Sequence, residues 1–173
     1  MAGPRQKPVY AFIDSQNLNL AIHSLGWKLD FSQLHIYLKD KFKVKKAFLF
    51  IGYIKENQNL YEYLKQSGYH LIFKPTITHK IKGKEETKGN VDAELVLHSM
   101  IQFPFYSGAI IISGDGDFHC LIEYLQQKNR LERLIVPNQY KYSALLRRFS
   151  DKITFLNPLK KRLLASKTRR GGH

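Results

Sequence analysis

Cysteine is almost missing from this chain: Cys120 stands alone among 173 residues. One thiol cannot close a disulfide within the chain, and it cannot supply the thiolate set of a structural zinc site. Long apolar runs are missing too. No stretch approaches the ~20 uninterrupted apolar residues of a membrane-spanning helix. Met1 to Pro8 is polar and basic, without the apolar core of a secretory signal. The expectation is a cytoplasmic protein of one domain with a sizeable core. Acid is also scarce. Against 28 Lys and Arg there are 14 Asp and Glu, a net charge of +14. Such an excess implies a polyanionic partner, nucleic acid first and an anionic membrane surface second. In so basic a chain, a place that gathers carboxylates is a place that uses them.

One such place follows an apolar run. Ala109-Ile110-Ile111-Ile112-Ser113-Gly114-Asp115-Gly116-Asp117-Phe118 opens into a turn that carries two carboxylates two residues apart. Continuous apolar residues bounded by turn residues read as a strand buried on both faces of a parallel sheet. Gly114 and Gly116 free the backbone at the strand's end, where ligands bind in open α/β sheets. Asp117 reads equally as the N-cap of the next helix, marked by Leu121, Ile122 and Leu125. Asp115 has no such explanation, and no basic residue is near it in sequence. Crowded carboxylates at a strand end suit a hard cation such as Mg²⁺ or Mn²⁺.

The same pattern stands near the start. Val9 to Ile13 is an apolar run that ends in Asp14, and a helical pattern (Leu18, Leu20, Ala21, Ile22, Leu25) follows, stopped by Gly26. Ser15 or Asn17 is expected to cap that helix. Strand ends of a parallel sheet lie on one edge, so Asp14 and Asp115 arrive together. Between them come a helix within Trp27 to Asp40, a strand from Ala47 to Tyr53, a helix from Glu56 to Ser67 and a strand from Tyr69 to Phe73. This alternation argues for helices packed on a mostly parallel sheet. Thr76 to Lys88 breaks it. The segment is strongly basic (Lys80, Lys82, Lys84, Lys88) and reads as a mobile loop or loose hairpin suited to a phosphodiester backbone.

A helix from Asn90, its expected N-cap, to about Gln102 puts Asp92 and Glu94 in its first turn, where the dipole alone favours acid. His98 lies about one and a half turns further on and faces away from Asp92. Beyond Leu131 to Pro137, another strand, Tyr140 to Phe149 reads as a basic helix with Arg147 and Arg148, and Ile153 to Leu156 as a last short strand. The expected organisation is a disordered basic N-terminus over 1–8, a domain over 9–157 and a flexible basic tail over 158–173. Asp14, Asp92, Asp115 and Asp117 would repel one another on one edge unless cations bind or some are protonated. Divalent metals meet that need, and they promote attack of water on phosphodiesters.

Phe12-Ile13-Asp14-Ser15-Gln16-Asn17-Leu18, Lys88-Gly89-Asn90-Val91-Asp92 and Ile112-Ser113-Gly114-Asp115-Gly116-Asp117-Phe118 occur in that order. Together they make the sequence resemble the NYN domains of the PIN-like nuclease superfamily, within them the LabA-like group, over about residues 9–156. The resemblance implies a Rossmann-like three-layer α/β/α sandwich and metal-dependent cleavage of RNA to 5′-phosphate and 3′-hydroxyl ends. It implies that Asp14, Asp92, Asp115 and Asp117 hold Mg²⁺ or Mn²⁺, with Asn17 near the phosphate or behind the metal's ligands. Ser113 and His98 are secondary candidates. LabA-like sequences carry a further Asp where this chain has His98, and this chain has an extra Asn90 between Gly89 and Val91.

Two functions follow. The first is a metal-dependent ribonuclease, an endonuclease in kind, with Lys80, Lys82, Lys84, Lys88, Arg147 and Arg148 on the nucleic acid. The second is an RNA-binding regulatory module on the same fold with weak or lost activity. A phosphatase of the haloacid-dehalogenase sort would need Gly-Thr after its second Asp, where Phe118-His119 stand, and it leaves Asp14 and Asp92 unexplained. No Gly-x-Ser-x-Gly elbow supports a triad hydrolase. RNA is the expected partner, and a homodimer is among the states the sequence permits.

Overall fold

The computed structural model describes residues 6–81, 84–88 and 91–166. In chain order the elements are β1 (Val9–Asp14), α1 (Ser15–Ser24), α2 (Phe31–Phe42), β2 (Val44–Tyr53), α3 (Gln58–Gln66) and β3 (His70–Pro75). Then come β4 (Ile77–Ile81), β5 (Lys84–Lys88), α4 (Asp92–Ile101), β6 (Gly108–Ile112), α5 (His119–Gln127), β7 (Leu131–Val136), β8 (Ile153–Phe155) and α6 (Lys160–Leu163). Six strands form one sheet in the order β3-β2-β1-β6-β7-β8, and every pairing in it is parallel.

Side chains alternate across a strand, so a run apolar at every position needs cover on both faces. Both faces are covered here. Ala11 and Ile13 of β1, with Ile110 and Ile112 of β6, join one core with Leu18 and Ile22 of α1 and Leu34 and Leu38 of α2. Tyr10 and Phe12, with Ala109 and Ile111, join a second core with Leu95 of α4 and Leu121, Ile122 and Leu125 of α5. The rings of Phe12 and Phe48 stack there at 5.4 Å, and the buried Tyr106 hydroxyl donates to the Ser99 carbonyl at 2.9 Å. The result is the expected three-layer α/β/α fold.

The chain winds from β1 outward to β3 on one side and from β6 outward to β8 on the other. β1 and β6 therefore meet where the winding reverses, and their carboxyl ends flank the crevice that such a reversal opens. Asp14 ends β1, and the 113–117 turn follows β6.

Several expectations change in detail. β2 begins at Val44, ahead of Ala47, because Val44 pairs with Val9 and Lys46 with Tyr10, Lys45 falling at a register shift between them. Of the two forms expected for Thr76 to Lys88, a loop or a loose hairpin, the hairpin is found: it contains the antiparallel pair β4–β5 with Lys80 opposite Glu85. The Tyr140 to Phe149 helix is instead a turn followed by 3₁₀ structure over Ala144–Lys152, with a kink at Phe149. Asn138 Oδ1 accepts the Tyr140 N–H at 2.9 Å and Ser143 Oγ accepts the Leu145 N–H at 3.2 Å, local bonds that compete with an α-helix start. The tail also begins later than 158. α6 buries Leu163 completely and Leu164 bridges to Leu29, so packing extends to that point. Residues 1–5, Lys82, Gly83, Gly89, Asn90 and 167–173 lie outside the described residues.

Candidate metal centre

Asp14 closes β1 and caps α1 at once: its Oδ1 accepts the Asn17 N–H at 3.2 Å. The caps expected from Ser15 or Asn17 are thus replaced by the acid itself, since the helix starts one residue after the strand ends. Across the crevice, Asn17 Oδ1 accepts the Gly114 N–H at 2.8 Å and ties α1 to the turn after β6. Ser113 joins the two acids. Its hydroxyl donates to Asp14 Oδ2 at 3.3 Å and accepts the Asp115 N–H at 3.0 Å.

Asp115 likewise caps a 3₁₀ turn, accepting the Asp117 N–H at 2.9 Å. Asp92 arrives from the first turn of α4, whose N-cap position is Val91 and not Asn90. One carboxylate oxygen each from Asp14, Asp92 and Asp115 lies within 4.8 Å of the others. These three line a pocket of about 330 Å³ with Gln16, Asn17, Leu20 and Val91.

Asp14 is 4% exposed. Burial, the largest cause, pushes its carboxyl up to about 6 from 3.8, with the charges of Asp92 and Asp115 adding to it and the Asn17 N–H and Ser113 hydroxyl opposing it. Asp14 and Asp115 accept from neutral donors, and together with Asp92 they make a set of oxygen ligands that fits a divalent cation. The donor set therefore suits such an ion.

Other sequence-predicted residues go elsewhere. Asp117 is exposed, and its side chain is not among the triad's ligands. His98 is half-buried with its ring 5.8 Å from that of Phe50, on the flank of the second core. Arg148 is ion-paired with Glu123, and Arg147 lies 6.0 Å from the Tyr142 ring. Lys80, Lys84 and Lys88 lie on the β4–β5 hairpin, which leads into α4. Glu94, two residues after Asp92, faces Lys74 at 3.6 Å. Of the two acids in that first turn, only Asp92 reaches the pocket.

Sequence reading gave no hint of the loop behind the turn. Ser143 N–H donates to the Gly114 carbonyl at 3.0 Å. A Cβ on Gly114 would stand 3.2 Å from Tyr142 Cβ; one on Gly116 would collide with Ser143 Oγ and stand 2.8 Å from its Cβ. Neither glycine has the positive φ that would demand it. The reason for both is space, not backbone freedom. Gly116→Ala is accordingly expected to cost about 1–3 kcal/mol as overpacking, which lowers the melting temperature by several degrees. An unchanged thermal melt would show that the 138–143 loop moves aside freely.

The NYN domain profile matches residues 8–157. A crystal structure of a protein of unknown function from Vibrio parahaemolyticus superposes with a TM-score of 0.75 at 21% identity, covering 95% of this chain and 100% of that one. A PLP-bound protein from Clostridium difficile, at 11% identity, covers 90% of this chain and 44% of its own with a TM-score of 0.34, too low to carry weight. No curated protein matches the chain.

Proposed function

The chain belongs to the NYN domain family, and from that premise we propose that it is a divalent-metal-dependent ribonuclease that cuts RNA internally. The observation that carries this is the convergence of Asp14, Asp92 and Asp115 at the one crevice the sheet topology opens. Mg²⁺ or Mn²⁺ held there would supply Lewis acidity for the attack of water and offset the charge gathering at phosphorus. The chain's own part is positioning. Ser113 fixes Asp14 and Asp115 relative to each other, and Asn17 holds the Gly114 backbone so that the turn cannot swing from α1. The pocket is open on one side and large enough for a phosphodiester with part of its sugars. Arg147, exposed beside the 138–143 loop, and Lys80, Lys84 and Lys88 on the hairpin before α4 supply positive charge for the backbone.

Cleavage of labelled single-stranded RNA in Mn²⁺, Mg²⁺ and EDTA tests this, with wild type beside Asp115→Asn. Cleavage should need metal and fall by more than about 100-fold in the variant, since even partners behind a metal ligand are worth 10–100-fold. Equal cleavage by both proteins would refute the assignment. A second reading has one observation in its favour. His98, which stands where LabA-like sequences carry an acid, packs against Phe50 and adds nothing to the triad. RNA binding without turnover in either metal would select that reading, a regulatory RNA-binding module.

A further inference from the structure

The surface beside the acid pocket continues into a second depression. Leu20 of α1 is 63% exposed and lines both. One is the acid pocket; the other is an open groove of about 830 Å³ along α1, walled by Asn19, His23, Trp27 and Lys28. A lone exposed leucine is ordinary. One that joins an acidic pocket to a second groove marks a continuous path. The ten residues of α1 rise about 15 Å, roughly four nucleotides at the ~3.4 Å spacing of a stacked strand.

The far end of this path is cationic. Lys28 is exposed at the groove, and its carbonyl accepts the Ala165 N–H at 2.9 Å. The chain therefore passes Lys28 at Ala165. Gly26, at φ +83°, has nothing within 4 Å of where a Cβ would stand, so the groove mouth is clear.

We propose that the α1 groove is a binding track for single-stranded RNA, running from the acid pocket over Leu20 to Lys28. The proposal rests on the nuclease reading, because the acid pocket is its starting point. His23 and Lys28 face phosphates, Leu20 offers apolar surface to a base, and the buried Trp27 shapes the wall. Pockets of ~300–1,000 Å³ hold single small molecules, so the two depressions together have room for a few unpaired nucleotides.

The test uses the full chain carrying Asp115→Asn and a fluorescein-labelled single strand of about twelve nucleotides, read by anisotropy across salt. Lys28→Glu or Leu20→Asp should weaken binding about tenfold or more, and Lys28→Glu should lower the salt slope by about one. Lys128→Glu makes the same charge change at the end of α5, on the other face of the sheet, and should weaken binding less than about threefold, as screening dictates. Equal losses for Lys28→Glu and Lys128→Glu would overturn the track, because net charge alone would then explain binding. So would duplex RNA bound as tightly and with the same dependence on Lys28. Wild-type cleavage with Mn²⁺, measured alongside, separates the two levels. Cleavage with binding indifferent to Lys28 and Leu20 removes the track and leaves the nuclease. Binding that follows the track without cleavage removes the nuclease and leaves the track.

Discussion

Asp14→Asn is expected to abolish metal-dependent cleavage of RNA and, in EDTA at pH 7.5, to raise the melting temperature above that of the wild type. The two effects share one cause. Asp14 is buried, its carboxyl is pushed up to about 6, and no described ion pair involves it. At pH 7.5 the metal-free protein therefore holds an ionised group where a neutral one is preferred. At about 1.4 kcal/mol per pKa unit the cost is about 3 kcal/mol. Asparagine has the same shape and caps a helix as well as aspartate does, so the bond from the Asn17 N–H survives. The charge goes and the cap stays. For a chain of this size a kcal/mol moves the melting temperature by roughly 2–4 °C, which gives a gain of about 6–12 °C. Part of it is offset where the new amide meets the Ser113 hydroxyl. A melting temperature several degrees below wild type would mean that the charge stabilises the fold, and the account of the pocket would then be wrong.

The complementary expectation is that Mn²⁺ stabilises the wild type strongly at pH 7.5 and weakly at pH 5. The sign follows from the direction of the shift. A carboxyl raised in the folded state holds its proton more tightly there than in the unfolded chain. Its contribution to stability is therefore fully present below 3.8 and is lost as pH rises through about 6. Above that, a cation can recover what was lost, because the ligands are already deprotonated. Near pH 5 the ion must first displace a proton from Asp14, so its apparent affinity falls. At 100 times its dissociation constant a ligand adds about 2.7 kcal/mol, or about 5–10 °C here. Differential scanning fluorimetry of wild type and Asp14→Asn at the two pH values measures this directly. Equal shifts at both, or a shift retained in Asp14→Asn, would place the ion elsewhere.

The acids of the site were legible to different degrees, for physical reasons. Asp14 ends a run that is apolar at every position and Asp115 stands three residues beyond another, and in a parallel sheet such ends share an edge whatever the rest of the fold does. Asp92 had no such signal. Its place in the first turn of a helix is explained as well by the dipole, and Glu94 in the same turn goes to Lys74 instead. Asp117 read equally as a ligand or as a helix cap, and the 3₁₀ turn that starts between it and Asp115 leaves its side chain in solvent. Arg148, read from the sequence as a phosphate contact, is ion-paired with Glu123 of α5, a partner that lies 25 residues away in the chain.

By itself the sequence determined the α/β class, the parallel sheet, the edge on which the acids meet and the surplus of positive charge. Hydrophobic periodicity and net charge are local or global sums, and neither needs to know which segments become neighbours. What only the tertiary structure decided is contact between segments far apart in the chain. Packing alone set Ser113 between Asp14 and Asp115, Ser143 against Gly116 and Leu20 between two grooves. Those contacts depend on the winding of six strands and the faces their crossovers cover, and no residue's own preference encodes them.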